Sequence, residues 1–72
     1  MKHARPDYDR IQDPSGKIPT DEPVFLLRGQ DKTAATTVRL WARMQKDPEL
    51  ARLAMEQADA MDLWPVKKDA DR

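Results

Sequence analysis

The feature that most constrains the fold is a run of four apolar residues, Val24–Leu27, that follows Pro23 and is closed two positions later by Gly29. A short apolar run with β-branched and aromatic residues, bounded by Pro and Gly, is typical of a strand buried on both faces. Pro23 would also fit the first position of a helix, with Asp21 or Glu22 near its cap, so a helix start remains the alternative. We predict one short strand, whose copies could pair in a dimer.

The segment before this run, residues 1–23, holds four of the six prolines and shows almost no hydrophobic periodicity. This composition predicts a Pro-rich, extended N-terminal arm. Within it, Asp13-Pro14-Ser15-Gly16 has Asp, Pro and Gly at the corners that a type I turn favours. Tyr8, Ile11 and Ile18 could anchor the arm on its own helices or on a neighbouring subunit. A frayed N-terminal end is the alternative reading.

Two amphipathic helices are predicted after the run, so the fold class is mainly α. The first covers Thr33–Lys46, with Asp31 or Thr33 as its cap. The second starts at Asp47-Pro48-Glu49, where Asp caps, Pro takes the first helical position and Glu favours the first turn. It runs to about Leu63. Because the link is so short, we predict an antiparallel helical hairpin.

Apolar residues recur along both helices at spacings of three and four, the pattern of one buried face. The predicted core stripe is Ala34, Val38, Trp41, Ala42 and Gln45 in the first helix, and Leu50, Leu53, Ala54, Gln57, Ala58, Met61 and Trp64 in the second. Leu40 and Met44 widen the first apolar arc beyond what one partner helix covers. Arg39, Arg43 and Lys46 are placed on the outer side.

The chain has 72 residues and no cysteine, so neither a large core nor a disulfide is available to stabilise it. We therefore predict a homo-oligomer, most simply a two-fold dimer. Its core is the strand and helical hairpin of residues 24–65, and residues 66–72 form a solvated tail.

Thirteen basic residues balance thirteen acidic ones. A nucleic-acid-binding domain normally carries a basic surplus, so nucleic acid is disfavoured as a partner. No apolar run reaches transmembrane length, and the N-terminus lacks the apolar core of a signal peptide. We expect a cytoplasmic protein that does not contact membranes.

The sequence offers no catalytic or metal-ligating constellation. The single histidine is His3, in the predicted arm, and there is no cysteine. Nucleophilic catalysis and structural zinc sites normally need more than this. Asp59 and Asp62 share one helix side, but exposed acids at that spacing are ordinarily just solvated. We predict a protein that is not an enzyme and has no cofactor.

Polar residues around Gly29 suggest a site for an anionic, nucleotide-like ligand at a subunit junction. Arg28 would clamp the anion, and Gln30 and Asp31 would read polar edges. Lys32 and the helix start at Thr33 would hold phosphate, while Tyr8 or Trp41 could stack on a base. In the alternative, Arg28 pairs with Asp31 and the helix is simply capped. A different function, inhibition or adaptation of a host protein through a Trp- and Met-rich helical face, also remains open.

The middle of the chain carries a resemblance. The run Asp13-Pro14-x-Gly16-x-Ile18-Pro19-x-Asp21 through Asp31, followed by Val38-x-x-Trp41-Ala42 and Ala58-Asp59-x-Met61-x-x-Trp64, resembles short uncharacterised proteins of proteobacterial genomes and prophages. The resemblance implies no activity and no site residue. It implies a phage context, in which a small protein blocks a host protein or takes up a nucleotide signal of bacterial immunity.

Overall fold

Two α-helices in contact form the centre of the molecule. The computed structural model describes residues 1–8 and 13–70. In chain order the elements are β1 (Lys2–His3), a short 3₁₀ helix (Pro6–Tyr8), β2 (Pro23–Val24), α1 (Ala34–Arg43) and α2 (Pro48–Leu63). These elements confirm the prediction of a small, mainly helical chain.

The start of α2 follows from its cap, as the sequence predicts. Asp47 Oδ1 accepts hydrogen bonds from the N–H groups of Glu49 (3.0 Å) and Leu50 (3.4 Å), and Pro48 occupies the first turn. On the exposed side, Arg52 bridges Glu49 and Glu56. The first turn of α2 is therefore specified by residues that are adjacent in sequence.

Helix α1 ends at Arg43, three residues before the predicted end at Lys46. The N–H of Met44 donates to Trp41 O at 3.0 Å, and Gln45 Nε2 donates to the same oxygen at 3.0 Å. These short-range bonds satisfy a carbonyl that a further helical turn would otherwise use. The residue before Pro48 is also disfavoured in helical conformation, so the chain must leave the helix here.

The sheet differs from the predicted strand over residues 24–27. β2 ends at Val24 and runs parallel to β1, with Lys2 opposite Pro23 and His3 opposite Val24. The N–H of Lys2 donates to Glu22 O at 2.7 Å. The expected burial on both faces is wrong for Phe25, which is 73% exposed and lies just beyond the end of β2. The alternative of a helix start at Pro23 is also wrong.

The predicted turn at Asp13–Gly16 is present in the arm. The N–H of Gly16 donates to Asp13 O at 3.0 Å, and Gly16 has a φ of 65°. The Asp13 carboxylate accepts hydrogen bonds from Ser15 Oγ (2.6 Å) and from the N–H of Ile18 (2.8 Å). These bonds, that of the Ser15 hydroxyl first, hold the pKa of Asp13 below its ordinary value. Of the proposed anchors, Ile11 lies outside the described residues.

The core of the described residues consists of small side chains. The buried apolar residues are Ala34, Ala35, Ala42 and Ala58, and no large side chain there is fully buried. The predicted core stripe is thus only partly inward, because Trp41 is 43% exposed and Leu53 is 49% exposed.

The segment after α2 is exposed but held to the rest of the chain. The N–H of Lys68 donates to Gln30 O (2.8 Å), and the N–H of Lys32 donates to Lys68 O (3.1 Å). Asp31 and Lys68 thereby form an isolated parallel bridge. Nothing in the local sequence indicates this contact. Neither helix in the described part of the chain combines the length and apolarity needed to cross a bilayer.

Replacing the cap of α2 should destabilise the fold. We expect Asp47→Ala to lower the free energy of unfolding by about 1 kcal/mol, because two helix-start N–H groups lose their acceptor. Asp47→Asn, which keeps a capping oxygen, should lose much less. Urea denaturation followed by circular dichroism measures both. An equal loss in the two variants would assign the effect to charge instead of capping.

Replacing His3 by an aromatic hydrocarbon should stabilise the protein. Both ring nitrogens of His3 are buried without a hydrogen-bond partner, and the ring meets Tyr8 edge-to-face with centroids 6.3 Å apart. His3→Phe keeps a ring and removes the unpaired nitrogens, so we expect a gain of about 1 kcal/mol in unfolding free energy. His3→Ala, which also loses the ring contact, should show no such gain. A less stable His3→Phe variant would refute this account.

Candidate ligand-binding site

A pocket of about 220 Å³ lies between the start of the chain, the segment that follows β2, and the segment that follows α2. Four of the seven residues predicted from sequence line it, namely Tyr8, Arg28, Gln30 and Asp31. Residues 25–27 supply an apolar part of the lining, and residues 68–70 line the pocket beside the predicted set. Segments distant in sequence therefore converge on the polar cluster around Gly29.

The backbone at Gly29 fixes this part of the pocket to α2. A Cβ atom placed on Gly29 would lie 3.6 Å from both Met61 Cα and Trp64 Cβ, which is ordinary packing contact. Lys67 Nζ donates to Gly29 O at 2.9 Å and also to Met61 O in the last turn of α2. The N–H of Asp31 donates to Arg28 O at 2.9 Å, which closes a tight turn. The flanking side chains project from a held backbone.

Arg28 is the cation of the pocket that remains open to a ligand. Its side chain is exposed, and within residues 1–8 and 13–70 it forms neither an ion pair nor a side-chain hydrogen bond. The alternative pairing of Arg28 with Asp31 is therefore absent. A guanidinium group offers five N–H donors in a planar fork that matches carboxylate and phosphate oxygens.

Asp31 lines the pocket, but its carboxylate is already engaged. Its Oδ1 accepts hydrogen bonds from the N–H of Thr33 (2.8 Å) and from Thr33 Oγ1 (2.7 Å). The backbone bond first, and then the hydroxyl bond, hold the pKa of Asp31 below its ordinary value. Thr33 takes the cap position of α1 without a side-chain bond to the helix. The pair orders the entry to α1, and Thr33 does not line the pocket.

Two predicted residues are not brought into the pocket. Lys32 Nζ lies 3.5 Å from Asp69 Oδ1, so it forms an exposed ion pair with an acid of the lining without lining the pocket itself. Trp41 lies in α1, whose residues form no part of the lining. Stacking by Trp41 and direct phosphate contact by Lys32 are therefore not supported by this geometry.

Eight of the twelve lining residues are not among the predicted site residues, and Arg5, Phe25 and Lys68 are three of them. Arg5 Cζ lies 5.1 Å from the centroid of the Tyr8 ring, a cation–π contact, and Arg5 Nε lies 3.2 Å from Asp7 Oδ1. Phe25 lines the pocket and is largely exposed, although the sequence predicts a buried strand over residues 24–27. Lys68 lines the pocket because its backbone is hydrogen-bonded to Gln30 and Lys32. Only the Arg5–Asp7–Tyr8 spacing offered a local signal.

Asp59 and Asp62 of α2, which the sequence predicts to be solvated, instead form ion pairs with α1. Arg39 Nη2 lies 2.9 Å from Asp59 Oδ1 and 2.6 Å from Asp62 Oδ2. These bonds, that of Asp59 first, raise the pKa of Arg39 above its ordinary value. Arg39 is thus not on the outer basic side.

Among the described residues, no group of three or more His, Asp or Glu side chains is placed to hold a metal ion.

Comparison of the chain with protein-family models, with curated proteins and with solved structures finds no match in any of the three. The resemblance to short prophage proteins therefore stays a prediction.

Removing the Thr33 hydroxyl should raise the pKa of Asp31. Thr33→Val deletes one of the two donors to Oδ1 and leaves the backbone N–H in place, so we expect the pKa to move part of the way back toward 3.8. Carboxyl-carbon NMR titration measures it directly. Thr36→Val, in the first turn of α1, is the matched control and should leave it in place. An unchanged pKa in Thr33→Val would contradict the assigned hydrogen bond.

Proposed function

We propose that this protein is a small, non-enzymatic binding protein that captures an anionic, nucleotide-like ligand in the pocket beside Arg28. The observation that carries the proposal is the unpaired guanidinium of Arg28 at a pocket whose acids, Asp31 and Asp69, are already engaged by Thr33 and Lys32. Arg5 and Lys68 add positive charge to the same lining. An incoming anion therefore meets three cationic side chains in the lining, of which Arg5 also pairs with Asp7.

Each wall of the pocket suits one part of such a ligand. Arg28 binds phosphate or carboxylate oxygens through paired N–H donors, a strong and directional interaction. Gln30 offers both an amide donor and an acceptor to the edge of a base. Phe25, exposed and apolar, is a better stacking surface than Trp41. Asp31 acts by holding the turn, without touching the ligand.

The size of the pocket limits what one chain can enclose. At about 220 Å³ it falls below the roughly 300–1,000 Å³ of pockets that bury a drug-sized ligand. It matches part of a mononucleotide, such as a phosphate with its sugar, better than a whole dinucleotide. The sequence predicts a ligand site at a subunit junction. Convergence of four predicted residues within one chain supports instead a primary site in each copy.

The proposal extends to the assembly. We propose that α1 and α2 run antiparallel, which their four-residue link favours, and that copies of the chain associate, as their exposed apolar side chains favour. A cytoplasmic location is part of the same proposal. An anti-defence role in a bacteriophage, in which the protein sequesters a nucleotide signal, would follow from such binding and rests on the resemblance alone.

Isothermal titration calorimetry tests the ligand proposal. AMP, ADP-ribose and a cyclic dinucleotide are titrated into the wild-type protein and into Arg28→Ala. We expect heat from at least one probe and a loss of about 10- to 100-fold in affinity in the variant, because a charge-assisted hydrogen bond contributes about 1.5–3 kcal/mol.

Arg43→Ala is the matched control, since it removes an exposed arginine of α1 that does not line the pocket. Its affinity should equal that of the wild type. Absence of heat from all three probes, or equal losses in the two variants, would refute the proposal.

A second candidate function is binding of a host protein through an apolar helical surface. Trp41 and Met44 are 43% and 71% exposed, and both residue types are favoured at protein interfaces. Affinity capture of a stoichiometric host protein that Arg28→Ala retains and Met44→Glu loses would favour it.

A further inference from the structure

The chain exposes more surface than a folded monomer of its size. Its accessible surface is 5985 Å² for a mass of 8.3 kDa. The scaling of accessible surface with mass gives about 4,600 Å² for a compact monomer of this mass. The excess is about 1,400 Å², and a standard protein–protein interface covers about 800 Å² on each partner. The excess, counted over the whole chain, is thus greater than the area that one partner of a standard interface covers.

The buried alanines of α1 separate two sides of the helix. With about 100° of rotation per residue, Arg39 is displaced from Ala42 by about 60° in one direction and Trp41 by about 100° in the other. Continuing the same rotation one residue past the end of α1 places Met44 on the same side as Trp41. Arg39 and Trp41 therefore project to opposite sides of the contact with α2, whereas Leu40, displaced by about 160° in the direction of Arg39, lies on the Arg39 side.

The same separation holds in α2. Relative to the buried Ala58, Asp59 and Asp62 are displaced by about 100° and about 40° in one direction. Leu50 and Leu53 are displaced by about 80° and about 140° in the other direction. Asp59 and Asp62 therefore lie on the side of α2 opposite to Leu50 and Leu53, whereas Leu63 lies on the side of the two acids.

The ion pairs between the helices show which side of α1 coincides with which side of α2. Arg39 contacts both Asp59 and Asp62, so these residues share one side of the helix pair. The residues displaced the other way must then share the opposite side. We name the surface formed by Trp41, Met44, Leu50 and Leu53 the helix-face patch. Its members are 43%, 71%, 41% and 49% exposed, in that order.

We propose that two copies of the chain form a two-fold dimer through the helix-face patch. This inference rests on the self-association in the proposed function and names the surface that mediates it. A patch of Trp, Met and Leu side chains is complementary to itself, as a two-fold interface requires. A chain with no net charge has no overall repulsion between its copies.

The dimer interface and the ligand pocket are separate surfaces. None of the four residues of the helix-face patch lines the pocket. Gly29 packs against Met61 and Trp64, toward the end of α2, whereas Leu50 and Leu53 lie in its first two turns. Each copy in the dimer therefore keeps its own pocket, and the two activities can be tested independently.

Size-exclusion chromatography with light scattering tests the inference on the full chain at tens of micromolar. We expect the wild type at twice 8.3 kDa and Leu53→Glu at 8.3 kDa. Leu63→Glu is the matched control. It makes the same substitution in α2, at a residue that is 82% exposed and lies about 140° from Ala58 in the direction opposite to Leu53. We expect it to remain dimeric.

Circular dichroism checks that each variant is folded, and Met44→Glu serves as a second patch variant should Leu53→Glu unfold. Unfolding of both patch variants beside a folded, dimeric Leu63→Glu also supports the patch, because its coverage then stabilises the subunit. A wild-type mass of 8.3 kDa with a cooperative melt overturns the inference, as does a dimer that both patch variants keep or that Leu63→Glu equally loses.

The ligand titration separates this inference from the proposed function. A monomeric wild type that still binds a nucleotide through Arg28 overturns the dimer alone. A patch-dependent dimer that gives no heat with any probe overturns the ligand site alone.

Discussion

The contact between α1 and α2 through alanine side chains is the interaction on which the rest of the structure depends. Ala42 and Ala58 are almost fully buried, and small side chains let two helices approach closely. Each such group contributes little, since burial of one methylene is worth about 0.8 kcal/mol. Polar contacts add to it, from Arg39 between the helices and from Asp47 at the start of α2.

A small core also explains why the remaining segments are held mainly by backbone hydrogen bonds. The start of the chain pairs with the stretch around Glu22, and Lys68 pairs with Gln30 and Lys32. Peptide groups that leave water need partners, and these irregular segments find them in one another. Because the segments meet edge to edge without a filled interior, a pocket remains between them. Arg28 borders it from a turn that is packed on α2 through Gly29.

The two uncovered regions of the molecule differ in chemistry. The pocket combines cationic groups with a short apolar wall, whereas the helix-face patch presents Trp, Met and Leu. An anion is attracted by the cationic groups of the pocket and not by the helix-face patch. A second copy of a chain with no net charge gains mainly by burying the apolar side chains of the patch. Association and ligand capture therefore draw on different physical forces.

Part of the candidate site could be predicted because the polar residues around Gly29 are close in sequence. Arg28, Gln30 and Asp31 do line one pocket, and Tyr8 joins them from the arm. The contribution of Lys68 could not be predicted, because its position depends on a backbone bridge to a segment more than thirty residues away. The hydrogen bonds from Thr33 to Asp31 join near neighbours, but the sequence alone leaves other partners possible for each of the two side chains.

By itself the sequence determined the features that depend on near neighbours. These are the start of α2 at Asp47, the turn at Asp13–Gly16 and the presence of two helices, because caps, turns and helical periodicity act within a few residues. Only the tertiary structure decided that β2 pairs with Lys2–His3 and that Arg39 faces the acids of α2. These contacts join residues twenty or more positions apart, and local pattern does not select among such partners.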